Sequence, residues 1–374
     1  MIKRKLYSKI KEKMSDKKAV LLLGPRQCGK TTLAKMIAES EDKKILWLNG
    51  DEFDVREKFI DSTSTQLKNM IGNNDILVID EAQRIENIGL SIKLIVDNID
   101  NVKVIATGSS SFELSSLINE PLTGRKWEYT LLPFSFGEMV DENGELEERR
   151  LLNERLVFGY YPDVVNNPSD KFEVLNELTS SYLYKDILSI GTIKKSEKLE
   201  KLVQAIAFQV GNQVSYNELG QMSGLDNQTV EKYIDLLEKA FILFRLTSFS
   251  RNLRNEIKKS RKIYFYDNGI RNAVINSLNP IELRNDIGAL WENFLISERK
   301  KRQLFNRKWS NNYFWRTHSQ QEVDYIEEYN GQLHAYEFKW NPNAKVKPPK
   351  IFLETYGACE FKVVTPKNFI EFLI

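Results

Sequence analysis

The sequence contains very little cysteine and histidine. Its 374 residues include two of each, and the cysteines are Cys28 and Cys359. That number is too small for a disulfide-stabilised scaffold, suits a reducing compartment, and leaves no basis for a Cys/His zinc site. No apolar run approaches the length of a membrane span, and no apolar signal segment follows the basic N-terminus. The sequence therefore predicts a cytoplasmic protein with no membrane partner.

An excess of one charge is also missing. The chain has 54 Lys and Arg residues against 52 Asp and Glu residues, which gives a formal net charge of +2. Overall charge therefore indicates no particular partner. Length is more informative, because 374 residues are many for one hydrophobic core and predict two or three domains.

The clearest motif lies near the N-terminus. An apolar run ends at Gly24, and Gly29-Lys30-Thr31 then begins a helical pattern, so the stretch matches G-x-x-x-x-G-K-[ST] at every position. Backbone N–H groups of such a loop converge on phosphate oxygens, and the helix N-terminus adds its dipole. Lys30 can reach the β- and γ-phosphates, and the Thr31 hydroxyl can bind Mg²⁺. A chance glycine-rich turn is the alternative, but the strand and the helix in their required places disfavour it.

The motif predicts that ATP and Mg²⁺ bind to the residues of one loop, which are Gly24, Pro25, Arg26, Gln27, Cys28, Gly29, Lys30, Thr31 and Thr32.

Two acidic residues follow another apolar strand. Residues 76–79 are β-forming and apolar, and Asp80 and Glu81 come directly after them. Ligands of open parallel α/β sheets bind at this carboxyl edge of the strands. We expect Asp80 to hold Mg²⁺ through water and Glu81 to orient or deprotonate the attacking water. Two ordinary solvated acids are the alternative interpretation.

Two further positions have alternatives that stay open. Ser109 follows a predicted strand and is placed to sense the γ-phosphate or to hold the lytic water, whereas ordinary helix capping explains it equally well. Arg125 lies in a loop from which it could serve as an arginine finger towards a neighbouring subunit of a homo-oligomer. A structural salt bridge is the other interpretation of Arg125.

Together these motifs resemble a prokaryotic family of AAA-type ATPases. The resemblance covers about residues 17–140 and rests on five segments: Gly24–Leu33, Ile79–Gln83, Thr107–Ser111, Leu122–Arg125 and Pro133–Glu138. It implies a P-loop NTPase parallel sheet and one role for each site residue: Lys30 and Thr31 at phosphate and metal, Asp80 and Glu81 at metal and water, Ser109 as sensor and Arg125 as finger. The family pairs this domain with a C-terminal region of unknown function, and the resemblance supplies no substrate.

The middle of the chain predicts two further parts. Residues 141–148 form an acidic loop that ends an ATPase domain of residues 1–140, and a helical linker or lid follows over residues 141–198. Residues 199–266 then show a helix, a helix–turn–helix and two strands around a basic loop, which together resemble a winged-helix domain.

DNA binding is one interpretation of this module. The residues that would face DNA are Asn227, Gln228, Thr229 and Lys232 on the recognition helix, and Arg251, Arg254, Lys258, Lys259 and Arg261 in the basic loop. No arginine on the recognition helix stands out as a base reader. A packing adaptor with a solvated charged loop is the alternative.

A hairpin is predicted near the C-terminus. Asn330-Gly331 separates two segments of alternating polarity and indicates a two-residue type I′ turn. The turn fixes the register, pairs Tyr329 with Gln332, and so places Asp324 opposite Glu337. Lys339 lies on the same face as Glu337, because side chains two residues apart in a strand share a face.

Two carboxylates that face each other repel unless a cation lies between them. A divalent cation would fit between Asp324 and Glu337, and Lys339 could steady a hydroxide nucleophile or the charge that develops on phosphate. Alternatively, Lys339 bridges both acids in a structural triad that contains no metal.

The pattern of Asp324, Glu337 and Lys339, with Glu292 on the preceding helix, resembles the PD-(D/E)XK nuclease superfamily over about residues 270–374. Val323 replaces the proline that precedes the first acid in that family. The resemblance implies an α/β nuclease-like domain over residues 267–374, in which Glu292, Asp324 and Glu337 bind Mg²⁺ or Mn²⁺ and Lys339 acts in catalysis. The helix that carries Glu292 is expected to end in the basic run Arg299–Arg302, a second candidate DNA surface.

The sequence as a whole predicts an ATP-binding and ATP-hydrolysing protein that acts at DNA and carries a nuclease-like metal site. The alternative is a nucleotide-regulated binding protein, whose inactive nuclease fold serves only for docking.

Overall fold

The structure is a computed structural model that describes residues 2–109, 121–182, 196–250, 260–317, 319–357 and 359–374. Its contacts divide the chain into two compact units. The first comprises Met1–Phe134 and Lys239–Phe241, and the second comprises Ser135–Glu238 and Ile242–Ile374. The finer division into four domains remains a prediction.

A five-stranded sheet forms the centre of the first unit, with the strand order β2-β3-β4-β1-β5 and parallel pairing throughout. Its strands are β1 Ala19–Leu23, β2 Ile45–Asn49, β3 Ile76–Asp80, β4 Lys103–Gly108 and β5 Lys126–Thr130. Every residue of β1, β3 and β4 is buried, whereas the edge strands β2 and β5 are partly exposed. The apolar runs in the sequence thus reflect burial on both faces of a parallel sheet, and the predicted P-loop NTPase fold is confirmed.

The helices of the first unit are α1 Leu6–Lys11, α2 Lys30–Glu39, α3 Phe53–Phe59, α4 Ser64–Ile71 and α5 Ile88–Asn98. Helix α1 buries Leu6 and Ile10, and Met14 beyond its end is buried as well. The amine of Lys103 donates hydrogen bonds to the main-chain carbonyls of residues 13, 16 and 18, at 2.5, 2.7 and 2.6 Å. These bonds stabilise the turn that connects α1 to β1.

The second unit begins with helices where an acidic loop was expected. Helices α6 Phe136–Asn143 and α7 Glu145–Arg150 cover most of residues 141–148, so the prediction of a loop was wrong. Ser135 and Glu138 form a capping box that starts α6. Glu148 is fully buried, and its charge is stabilised by hydrogen bonds from the guanidinium of Arg155, at 2.9 and 3.2 Å.

The other helices of the second unit are α8 Leu152–Phe158, α9 Pro162–Asn166, α10 Lys171–Glu177, α11 Ser196–Phe208, α12 Tyr216–Ser223, α13 Asn227–Lys239, α14 Asn268–Val274, α15 Ile287–Asn306, α16 Lys350–Tyr356 and α17 Phe369–Leu373. Within the described ranges, no helix is long and apolar enough to cross a bilayer.

A seven-stranded sheet unites the rest of the second unit, with the order β12-β11-β10-β9-β7-β8-β6. Its strands are β6 Gln213–Val214, β7 Leu243–Ser248, β8 Arg261–Phe265, β9 Asn311–Arg316, β10 Glu322–Tyr329, β11 Gln332–Phe338 and β12 Glu360–Val364. The predicted pairing of β7 with β8 is confirmed and is antiparallel. Parallel pairing of β7 with β9 then joins the strands expected in two separate domains into one sheet.

Most of the basic loop of the expected winged helix lies outside the described residues, including Arg251, Arg254, Lys258 and Lys259, whereas Arg261 is the first residue of β8. The helices α11 to α13 and the strands β6 to β8 are present where the winged helix was expected. The winged helix itself remains a prediction.

The C-terminal hairpin has the predicted register. Tyr329 pairs with Gln332, and the pairing continues to Tyr325 and Tyr336. Asn330 has φ 51° and Gly331 has φ 75°, the positive values that a type I′ turn requires at both central residues. The next pair in this register is Asp324 with Glu337.

Helix α15 continues beyond the position where the sequence was expected to end it. The basic run Arg299–Arg302 lies inside the helix rather than after it. Arg299 pairs with Glu327 at 2.6 Å, and the buried Lys301 pairs with Glu298 at 2.7 Å. Two of the four charges of this run are therefore paired with acids within the fold, and the role of the run as a DNA surface remains a prediction.

Candidate functional site

The predicted phosphate loop connects β1 to α2. A Cβ atom on Gly24 would lie 1.9 Å from the main-chain oxygen of Leu131, so no larger residue fits there. Gly29 caps α2 with φ 90°, and a Cβ atom on it would meet nothing within 4 Å. Glycine is thus required at one end of the loop by close contact and at the other by the left-handed backbone.

Lys30 and Cys28 are both buried in this loop. The Lys30 amine donates to the carbonyls of Gly24 and Pro25, at 3.0 and 2.7 Å, so it lies across the mouth of the turn. The Cys28 thiol donates to the carbonyls of Pro25 and Leu131, at 2.9 and 3.2 Å. Burial raises the pKa of the Cys28 thiol, which disfavours its reactive thiolate form.

Arg4 supports the same loop, although nothing in the sequence pointed to it. Its side chain is buried and lies over the ring of Phe134, 4.8 Å from the centroid. Its guanidinium donates to the carbonyl of Cys28 at 2.8 Å and to that of Leu132 at 2.5 Å. Arg4 therefore connects the phosphate loop to the chain that follows β5. The role of Arg4 could not be recognised from the sequence, because a buried arginine within a basic run is not distinguishable there from solvent-exposed basic residues.

The two residues predicted to hold Mg²⁺ in this unit lie together. The Thr31 hydroxyl donates to the Asp80 carboxylate, at 3.1 Å to Oδ1 and 3.0 Å to Oδ2. The Thr107 hydroxyl donates a further, short hydrogen bond to Asp80 Oδ1. Asp80 is buried at the carboxyl end of β3, so its charge is held by hydroxyl groups of two other elements.

Glu81, Ser109 and an unanticipated residue, Gln83, form a second group beside Asp80. The Gln83 amide nitrogen donates to Glu81 Oε2 at 2.5 Å and to Ser109 Oγ at 3.0 Å. Its amide oxygen is buried and has no hydrogen-bond partner within the described part of the chain. The main-chain N–H of Glu81 also donates to the Thr107 hydroxyl at 3.2 Å. One side chain thus connects the predicted general base to the predicted sensor.

Arg125 forms an ion pair within its own chain. Its Nε atom lies 2.6 Å from Asp97 Oδ1, and both side chains are about one-third exposed, at 37 % and 35 %. This hydrogen bond raises the pKa of Arg125. The salt bridge that the sequence left as an alternative is present, and the arginine-finger role remains a prediction.

In the second unit, Lys339 contacts both opposed acids. Its amine lies 2.7 Å from Glu337 Oε1 and 4.0 Å from Asp324 Oδ2. Asp324 Oδ2 also accepts a hydrogen bond from the N–H of Phe338 at 2.8 Å. Burial, together with the carboxylates of Glu292 and Glu337, raises the pKa of Asp324 well above its ordinary value. The carboxylates of Asp324 and Glu337 therefore lie close together as predicted, and their mutual repulsion is unfavourable.

Glu292 has a different environment from the other two predicted ligands. Its Oε1 accepts from the Lys262 amine at 3.0 Å and from the Tyr264 hydroxyl at 2.6 Å. Lys262 also lies 2.5 Å from Glu322. Among the described residues, no three His, Cys, Asp or Glu side chains converge closely enough to hold a metal ion by themselves. Sequence spacing gave no sign of Lys262, because it lies in a strand assigned to another domain.

Comparison with protein families divides the chain into three regions. Residues 16–140 match the model of the AAA domain. Residues 149–280 match a domain of unknown function, DUF8612, and residues 287–370 match another, DUF4143.

The chain is also similar over most of its length to several proteins. An uncharacterized protein of Mycobacterium tuberculosis is 25 % identical over 342 residues, which are 90 % of this chain and 74 % of that protein. An uncharacterized protein of Methanocaldococcus jannaschii is 22 % identical over 338 residues, or 85 % and 74 % of the two chains. The Walker-type ATPase of Pyrococcus abyssi superimposes with a TM-score of 0.50 at 15 % identity, over 73 % of this chain and 96 % of that one. The chain is an ATPase, and its residues 16–140 are similar to the AAA domain.

Proposed function

We propose that ATP is bound and hydrolysed at the loop of residues 24–32, with Mg²⁺ held by Thr31 and Asp80. The observation that carries this proposal is the contact between the Thr31 hydroxyl and the Asp80 carboxylate, two residues 49 positions apart in the chain. A hydroxyl and a carboxylate are the protein ligands that Mg²⁺ takes in P-loop NTPases. The bound ion would neutralise charge on the phosphate oxygens.

The remaining residues of the site have distinct roles in this proposal. Lys30, which bonds to loop carbonyls at 2.7 and 3.0 Å, would exchange those bonds for phosphate oxygens. Glu81 orients or deprotonates the attacking water, and Ser109 acts as the sensor of the γ-phosphate. Gln83 donates hydrogen bonds to both groups, and its amide oxygen, which has no partner among the described residues, is available to accept a hydrogen bond from that water.

Three variants test the ATPase assignments. Lys30→Ala should abolish binding of a fluorescent ATP analogue, because it removes the cation that faces the phosphates. Glu81→Gln should bind the analogue normally and lose turnover. Lys35→Ala is the matched control, since Lys35 lies on the same helix and its exposed amine is 3.9 Å from the exposed carboxylate of Glu39. Equal turnover in wild type and Glu81→Gln would refute the role of Glu81.

We further propose that the second unit binds one divalent cation between Asp324 and Glu337 and acts on nucleic-acid phosphodiesters. The supporting observation is Glu337 Oε2, which is buried and has no hydrogen-bond partner among the described residues. A buried carboxylate oxygen without a donor is costly, and a cation would satisfy it. The ion would supply Lewis acidity, and Lys339 would stabilise charge that develops on the phosphate.

The competing interpretation is an inactive fold used for docking, in which Lys339 bridges the two acids. Adding Mn²⁺ discriminates between the two through the melting temperature, because an ion that binds only the folded state stabilises it. We expect Mn²⁺ to raise the melting temperature of wild type and to have no effect on Asp324→Asn. If wild type shows no gain and Asp324→Asn is less stable without metal, the Lys339-bridged triad is the correct description.

DNA is the partner we propose for the second unit. Asn227, Gln228 and Lys232 are exposed at the start of α13, where a recognition helix would meet DNA. Binding should be mainly electrostatic, so replacing Arg251, Arg254, Lys258 and Lys259 by alanine should reduce both affinity and its dependence on salt. An unchanged salt slope would refute the proposed contact through this loop.

A further inference from the structure

A compact group of charges surrounds the candidate metal centre, and we name it the acidic cluster. It consists of four carboxylates and three basic side chains, which are Glu292, Glu322, Asp324, Glu337, Lys262, Arg316 and Lys339. Four negative charges stand against three positive ones, so one negative charge is in excess when all are ionised. The cluster divides into two halves according to which cation each carboxylate contacts.

The first half is built around Lys262. This lysine is only 1 % exposed, and its amine lies 3.0 Å from Glu292 Oε1 and 2.5 Å from Glu322 Oε1. Burial opposes its charged form, but the carboxylates of Glu292 and Glu322 raise the pKa of Lys262. The Tyr264 hydroxyl also donates to Glu292, and Arg316 lies 3.7 Å from Glu322 Oε2. Both carboxylates of this half thus have cations supplied by the chain.

The second half contains Asp324, Glu337 and Lys339. Lys339 neutralises its carboxylates less effectively than Lys262 does in the first half. Its side chain is 40 % exposed, and its amine lies 4.0 Å from Asp324 Oδ2. Glu337 is only 8 % exposed, and its Oε2 has no hydrogen-bond partner in the part of the chain that the structure describes. A buried carboxylate oxygen without a donor, beside a second acid and a partly exposed amine, leaves this half short of positive charge.

We propose that Lys262 is the built-in cation of the first half, so that the acidic cluster takes a single divalent cation at Asp324 and Glu337. Glu292 is then a positioning residue for Lys262 and not a metal ligand, unlike the assignment that the family resemblance implies. This inference rests on the proposed cation site of the second unit. Mg²⁺ commonly binds through one or two carboxylates and keeps several waters, so two protein ligands suffice. A second divalent ion would instead require displacement of a buried lysine that is held by two carboxylates, Glu292 and Glu322.

The test is the number of Mn²⁺ ions bound by the full chain without nucleotide, measured by the electron paramagnetic resonance of free Mn²⁺. Asp80→Asn serves as the background, because it removes the candidate cation ligand of the ATPase domain. We expect one bound Mn²⁺ in this background. Adding Glu292→Gln to this background should change the affinity for Mn²⁺ by less than about twofold. Loss of a metal ligand, or of a residue that holds a ligand, lowers metal affinity by about 10- to 100-fold. Adding Asp324→Asn should abolish binding.

The variant Lys262→Met should increase the number of Mn²⁺ ions bound. It removes the charge at nearly constant side-chain length and leaves Glu292 and Glu322 without their shared cation, so this variant should bind two Mn²⁺ ions. Lys300→Met is the matched control, since Lys300 is a lysine of α15 whose amine lies over the ring of Phe244, 4.8 Å from the centroid, and it should still bind one.

The possible outcomes separate this inference from the cation site on which it rests. Two Mn²⁺ ions in the background chain, or a tenfold loss of affinity in Glu292→Gln, would overturn the role of Lys262. One ion in both the background and Lys262→Met would do the same and leave the cation site standing. No ion in either chain would overturn the cation site itself. If Lys262→Met fails to fold, the Glu292→Gln affinity alone decides.

Discussion

The hydrogen bonds of Gln83 lead to a specific kinetic prediction. Its amide holds Glu81 Oε2 at 2.5 Å and Ser109 Oγ at 3.0 Å, and Gln83→Leu removes both bonds with little change in side-chain volume. A hydrogen bond to a charged group contributes about 1.5–3 kcal/mol. If that energy orients Glu81 in the transition state, kcat should fall about 10- to 100-fold, since about 1.4 kcal/mol corresponds to a factor of ten.

The affinity for ATP should hardly change in Gln83→Leu, because the hydrogen bonds of Gln83 go to Glu81 and Ser109, whereas Lys30 and Thr31 are held by other groups. Single-turnover hydrolysis and equilibrium binding of an ATP analogue measure the two effects separately. A double-mutant cycle then identifies the partner: in a Glu81→Gln background, Gln83→Leu should cost little further activity. A kcat equal to that of wild type, or an equally large loss in the Glu81→Gln background, would refute the proposed positioning of Glu81 by Gln83.

Three other perturbations follow from the first unit. Arg4→Met removes two charge-assisted hydrogen bonds to buried carbonyls, so urea unfolding should show a loss of about 3 kcal/mol and ATP affinity should fall; unchanged affinity would exclude Arg4 from support of the loop. Gly24→Ala should prevent ATP binding, because its Cβ would lie 1.9 Å from a main-chain oxygen; normal binding would show that the loop can move aside. If Arg125 acts towards a neighbouring subunit, a mixture of Arg125→Ala and Lys30→Ala chains should recover part of the ATPase activity of wild type. An inactive mixture would refute this role and leave only the intramolecular ion pair with Asp97.

Features set by neighbouring residues could be predicted from the sequence. The phosphate loop is one, because two glycines and a lysine at fixed spacing determine both its backbone and its chemistry. The C-terminal hairpin is another, since Asn330-Gly331 specifies the turn and the turn specifies which residues face each other. The register then placed Asp324 beside Glu337 without any knowledge of the rest of the fold.

Features set by distant residues could not be predicted in the same way. Arg4 contacts carbonyls 24 and 128 positions away, and the Lys262 amine reaches a glutamate 30 positions away on a different element. Charge patterning also misled, because Arg299 and Lys301 looked like a solvated run and instead pair with Glu327 and Glu298. A lysine or arginine in a sequence has the same appearance whether it faces solvent or completes a buried network.

The pairing of β7 with β9 has a consequence for how such chains can evolve. Strands β6 to β8 lie within residues 149–280, and β9 to β12 lie within residues 287–370, so two separate family models share one sheet. Loss of either region would leave the other with an unpaired strand edge at its centre, and such an edge readily joins a foreign strand and aggregates. The two regions must therefore be inherited together, and recombination that preserves folding should exchange them as one segment.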